Sequence, residues 1–271
     1  MKLPLCESLV VNRRDKLWTS REWTYPDIDQ RAIYIATMWA YDMAARVSEY
    51  TAAEGSAEDH CVRAGDLLFD FTSFTARGGD EYFRRVTEGI TESCTAIGCW
   101  VRPSTNKTGE AVATKLIGRR HAGESQHLDD LIEWVTKSQV KPEDELFSRY
   151  AIVRGRLSLK RMRPRAIRES VKAICEEAEL NPRHFSSHSI RKAALSHMRA
   201  LGESLEDRQE RGGYSGDSAL PNTTYNYSTA GHGALSSNSI AGEIAPDVDN
   251  IRRYLPGRGD DSRRTGGSVS R

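Results

Sequence analysis

The chain has 271 residues, 28% of them charged and 38% hydrophobic, and a formal net charge of +1. This length and ordinary composition suit one large domain with a good core and tails, and exclude a fibrous or wholly disordered chain. No stretch approaches eighteen consecutive apolar residues, which excludes a membrane-spanning helix, and MKLPLCESLVVNRRDK lacks the apolar run of a secretory signal.

Residues 1–28 carry Pro4, Pro26 and few periodic apolar residues, and read as an N-terminal arm or linker. From Gln30 to Tyr50, Ile33, Ala36, Ala40, Met43 and Val47 recur at helical steps, with Asp27 or Asp29 as a cap. This spacing puts Arg46 near the C-terminal end of that helix, with Glu49 one turn on. Asp66 to Phe71 reads as a strand, and Asp80 to Glu88 as a short helix. Cys94 to Arg102 and Ala111 to Ile117 read as a hairpin whose tip, P-S-T-N-K-T-G, holds Lys107.

Leu128 to Val135 and Arg165 to Glu179 have helical patterning. So does Ser187 to Leu201, which is expected to bury Ile190, Ala194, Met198 and Leu201, with Gly202 as a C-cap. Ser204 caps a short helix, Leu205 to Arg211. A Gly/Ser-rich linker, a short amphipathic helix from Pro246 to Leu255 and a disordered tail complete the chain. The expected domains are an arm over 1–28, a folded unit over 29–230 and a tail over 231–271.

The five cysteines fit neither a zinc pattern nor a disulfide framework, so reduced thiols of an intracellular protein are expected. The charge is unevenly spread. Between Arg149 and Lys172 lie nine basic residues and one acid, Glu169. A strip of this kind tracks phosphates even on a neutral protein, and Arg161, Arg163 and Arg165 are its candidate DNA contacts.

Four motifs occur in order: Ala45-Arg46-Val47-Ser48-Glu49, the hairpin Lys107 in N-K-T-G, Ser187-His188-Ser189-Ile190-Arg191-Lys192, and Gly212-Gly213-Tyr214-Ser215 followed by Thr223-Thr224-Tyr225-Asn226-Tyr227. Together they resemble the catalytic domain of the tyrosine recombinases, the phage-integrase-like enzymes that break and rejoin DNA. The wording of S-H-S-I-R-K-A and G-G-Y-S is similar to the Crypton-like and DIRS-like recombinases of eukaryotic mobile elements.

The resemblance implies a mainly helical α+β catalytic domain with a small antiparallel sheet on one edge. It implies a site-specific recombinase acting through a 3′-phosphotyrosine, without metal, cofactor or ATP. Arg46 and Arg191 form the guanidinium clamp on the phosphate. By the same resemblance Lys107 is the acid for the leaving 5′ oxygen, with Lys115 as runner-up, and His188 is the base or a hydrogen-bond partner near the nucleophile. Tyr227 is the nucleophile by the T-T-x-x-Y spacing, with Tyr225 the nearby alternative. Glu49 supports the site. Tyr214 occupies a position that the family usually gives to His or Trp.

Double-stranded DNA is the implied partner, and a homotetramer on DNA is implied through the C-terminal segment. The place of action is with DNA, in a nucleus or in bacterial or phage-infected cytoplasm. Two other readings share parts of this pattern: a type IB-like topoisomerase, and a domesticated DNA-binding module without activity. The family's separate core-binding domain does not fit in residues 1–28, so weak DNA binding by the isolated monomer is expected.

Overall fold

The computed structural model describes residues 2–19, 23–52, 61–71, 96–101, 115–118, 127–138 and 140–214. These form a mainly helical α+β unit. Its helices are α1 (Glu7–Leu17), α2 (Asp27–Asp42), α3 (His127–Lys137), α4 (Pro164–Glu177), α5 (Ser187–Ala200) and α6 (Leu205–Gly212). Its strands are β1 (Leu67–Phe71), β2 (Ala96–Val101), β3 (Lys115–Gly118), β4 (Ser148–Val153) and β5 (Arg156–Arg161). Among the described residues no helix is long and apolar enough to cross a membrane.

The centre is α2. Its sequence IDQRAIYIATMWAY is apolar on nearly every side, and Ile28 through Tyr41 are buried apart from Gln30. A helix apolar all round belongs inside a core. It packs against α1, α3, α4, α5 and β4. Strands β1, β2 and β3 form an antiparallel sheet in that order. Phe69, Cys99 and Ile117 sit opposite one another in its register and bury one row of side chains. The expected strand at 66–71 and the expected pairing of the next two strands are therefore present, whereas Lys107 and the helix expected at 80–88 lie outside the described residues.

Residues 1–28 are not an arm. They contain α1, and Leu5, Cys6, Leu9 and Val10 are core residues. The apolar residues of α1 make no long stripe, so periodicity does not announce it. Its place is fixed by partners far along the chain. Arg14 grips the buried Asp130 carboxylate with two hydrogen bonds, at 2.7 and 2.6 Å. The fully buried Arg31 donates to the Leu17 carbonyl at the end of α1, at 3.1 and 3.0 Å, and lies 5.0 Å and 4.9 Å from the rings of Trp18 and Trp23. A cation at a helix C-terminus meets the negative end of its dipole. Both indoles donate to Glu133, at 2.9 and 3.0 Å. Asp29 does not cap α2 either. Its carboxylate accepts from the Arg149 guanidinium and from the Tyr150 amide (2.8 Å), tying β4 to the core.

The basic strip is folded, not a loop. Its first part is the antiparallel β4–β5 hairpin, closed by a two-residue turn with Arg154 at φ 52° and Gly155 at φ 75°. Two consecutive positive φ values suit the twist of a tight hairpin. Its second part is α4, opened by Pro164 at its first position, where the missing amide costs nothing.

Candidate active site

Helix α2 ends at Asp42, well before the Tyr50 expected from periodicity. The chain leaves it through Ala44, at φ 47°, a left-handed conformation costing an alanine about 1 kcal/mol. Such a conformation persists only where its surroundings over-determine it. Here the Ala44 carbonyl accepts a 2.6 Å hydrogen bond from Arg191 Nη1. Arg46 is thus not on a helix. It is extended (φ −77°, ψ 146°) and precedes a single 3-10 turn, Val47–Glu49. Glu49 folds back on it, accepting from the Arg46 amide at 3.1 Å and from Nη1 at 3.0 Å. The carboxylate fixes both ends of the arginine.

Helix α5 delivers His188 and Arg191. Ser186 starts it, and its amide donates to Ser189 Oγ at 3.0 Å. Ile190, Ala193, Ala194 and Leu195 bury one face, while Met198 is half-buried and Leu201, expected in the core, is 41% exposed. Past the C-cap the helix has no further turn with which to press Leu201 inward, and Gly202 turns the chain away at φ 83°. Arg191 is 1% exposed. Besides Ala44, its guanidinium donates to the Gly212 carbonyl and, through Nε at 3.1 Å, to the Tyr214 hydroxyl.

Helix α6 brings the third piece. Ser204 Oγ accepts from the Asp207 amide at 3.0 Å, the expected cap. The two glycines at its end have separate reasons. A Cβ on Gly212 would lie 2.5 Å from Tyr214 Cε2, so only glycine leaves room for that ring. Gly213 ends the helix in the left-handed region, at φ 58°. Its carbonyl then accepts from Arg46 Nη2 at 3.1 Å, across 167 residues of sequence.

The outcome is one cluster. Tyr214 lies against both arginines, its ring centroid 4.5 Å from the Arg191 guanidinium carbon and 5.6 Å from that of Arg46. His188, at the first turn of α5, stays exposed beside them. Partial desolvation, then the charges of Lys192, Arg191 and Arg46, hold its imidazole below the ordinary histidine value. The helix N-terminus disfavours imidazolium in the same sense. A neutral imidazole can accept a proton.

Lys192 belongs to this surrounding and was not among the sequence candidates. It is buried, and its ammonium donates to the Lys2 carbonyl at 2.7 Å. The signal was available: it lies four residues after His188, on the same side of the helix. Of the expected phosphate contacts, Arg161 is paired with Glu145 and Arg165 with Glu169, at 2.6 Å, while Arg163 precedes α4 on an exposed stretch. Lys107, Tyr225, Tyr227 and the tail helix lie outside the described residues, as does the side chain of Lys115.

No family model matches the chain, and no curated protein matches it significantly.

Proposed function

We propose that the chain is a tyrosine-type DNA strand transferase with a recombinase-like fold. The observation that supports this most is the convergence of Arg46, Arg191, Tyr214 and His188 from three separate segments on one small site. Chance H-x-x-R and A-R-x-S-E strings would have no reason to meet.

The chemistry follows from the residues. Arg46 is the more open arginine, with 34% of its side chain exposed, and its planar fork suits two phosphate oxygens. Arg191 acts from behind. Its Nε–H is given to the Tyr214 oxygen, and the bond that this hydroxyl accepts strengthens it as a donor towards a phosphate oxygen. Tyr thus replaces the N–H donor of a His or Trp at this position with an O–H. Arg46 directly, and Arg191 through the Tyr214 hydroxyl, then oppose the charge that grows on the equatorial oxygens in the transition state.

In the proposed step the Tyr227 oxygen attacks phosphorus and its proton passes to neutral His188. The bond to the 5′ oxygen breaks, and that oxygen takes a proton from Lys107. The phosphotyrosine keeps the energy of the original linkage, so reversal needs neither metal nor ATP.

The test is covalent trapping on nicked duplexes built from the DNA flanking the gene. Wild-type protein should migrate with labelled DNA under denaturing conditions. Tyr227→Phe should abolish this adduct, and Tyr225→Phe should keep it. The reverse pattern would reassign the nucleophile. Wild-type binding without any adduct would leave a DNA-binding module, and relaxation of supercoils without strand exchange would leave a topoisomerase.

A further inference from the structure

The β4–β5 hairpin carries an unusual surface. Four of the six large hydrophobic residues exposed among the described residues lie on it: Ile152, Val153, Leu157 and Leu159. Register divides it into two faces. Ile152 pairs with Leu157 and Tyr150 with Leu159, so these four share one face. At the base of that face Tyr150 is buried, its ring 6.1 Å from that of Trp134. Leu159, its cross-strand partner, is already 46% exposed, and further out the Ile152–Leu157 pair leaves the protein, at 57% and 51% exposed.

The other face and the tip are cationic. Arg149 at the base is held by Asp29, while Lys160 opposite it, and Arg154 and Arg156 at the tip, are exposed. No carboxylate occurs between residues 148 and 168. The flanking Glu145 and Glu169 are engaged by Arg161 and Arg165. The hairpin is also rooted beside the candidate site. Directly after β5, the Met162 carbonyl accepts from the Ala52 amide at 2.8 Å, just past the turn that carries Arg46 and Glu49.

We propose that this hairpin enters the major groove of duplex DNA, with Ile152, Leu157 and Leu159 against base edges and Arg154, Arg156 and Lys160 on the flanking phosphates. The inference rests on the strand-transferase reading and adds a second point of contact to it. A two-stranded ribbon fits a groove about 12 Å wide, where thymine methyls offer apolar contact. Charge selects this occupant over a second copy of the chain, because two such hairpins would oppose like charges. DNA supplies the anions that this stretch of the protein lacks.

The test uses the full chain and a fluorescein-labelled mixed-sequence duplex about three helical turns long. Anisotropy is measured over a range of salt, with dimethyl sulfate footprinting of guanine N7 in the major groove. The triple variant Ile152→Ser/Leu157→Ser/Leu159→Ser should bind about tenfold more weakly, with an unchanged salt slope and lost N7 protection. Arg156→Gln/Lys160→Gln should instead lower the salt slope by about 1.8. Thermal melting should match wild type in both variants, since all five side chains are exposed. Unchanged affinity and footprint in the triple variant, with wild-type binding intact, would overturn the groove assignment and leave the strand-transferase reading standing. So would a change of oligomeric state on sedimentation with DNA affinity unaltered, which would make the hairpin a contact between copies. Failure of the wild-type protein to bind any duplex would remove both.

Discussion

Arg191→Lys should destabilise the protein by about 2–5 kcal/mol, although it keeps the charge. The arginine is buried and its guanidinium serves the Ala44 carbonyl, the Gly212 carbonyl and the Tyr214 hydroxyl. A lysine head is a compact point on a shorter reach and can satisfy one of the three. Two acceptors then lose their donor, at about 1–3 kcal/mol each where burial denies them water. Loss of the guanidinium stacked on Tyr214, and release of the strained Ala44, act on the same segments. Arg46→Lys is the control. Arg46 is half-exposed and its carboxylate partner is partly solvated, so the same exchange should cost under about 1 kcal/mol. Urea unfolding followed by circular dichroism, compared at equal slope, measures both. For a domain of this size the Arg191 variant should melt roughly 5–15 °C lower. An Arg191→Lys protein within about 0.5 kcal/mol of wild type would refute the reasoning, as would an equal loss at Arg46.

Gly212→Ala should displace the Tyr214 ring, because the new Cβ would sit 2.5 Å from Cε2 and 2.7 Å from Cδ2. The ring can swing outward, so stability should fall by only about 1–2 kcal/mol while adduct formation falls as far as in Tyr214→Ala; normal adduct yield would show that the ring position is irrelevant. His188 should titrate below the ordinary value of about 6.5, which imidazole NMR can read directly. Because the unfolded chain then binds the proton more readily, the stability contributed by neutral His188 is complete above about pH 6.5 and is lost as pH falls towards the lower folded value. His188→Gln should reduce that acid-side loss in urea midpoints, and a midpoint at or above the ordinary value would contradict the electrostatic account.

The sequence by itself determined the parts whose causes are local. Ile167, Val171 and Ile174 on α4, Ile190 and Ala194 on α5, and the Ser204 cap of α6 act within one or two turns, and the structure has each of them. The alternation of β1 and β2 is legible for the same reason. Periodicity carried α2 too far, to Tyr50, because Met43 continues the apolar stripe past the point where the helix ends. Nothing near Ala44 in sequence specifies its left-handed turn. The Arg191 side chain, 147 residues away, holds it, and so decides where Arg46 points. The burial of α1 follows likewise from Arg31, Asp130 and Glu133, not from its own weak pattern. The hairpin was hidden because Arg154-Gly155 is a less marked turn pair than Asn-Gly, in a stretch whose cations resemble a solvated loop. Propensity and patterning reach a few residues along the chain, whereas buried hydrogen bonds between distant segments exist only once the core has brought their ends together.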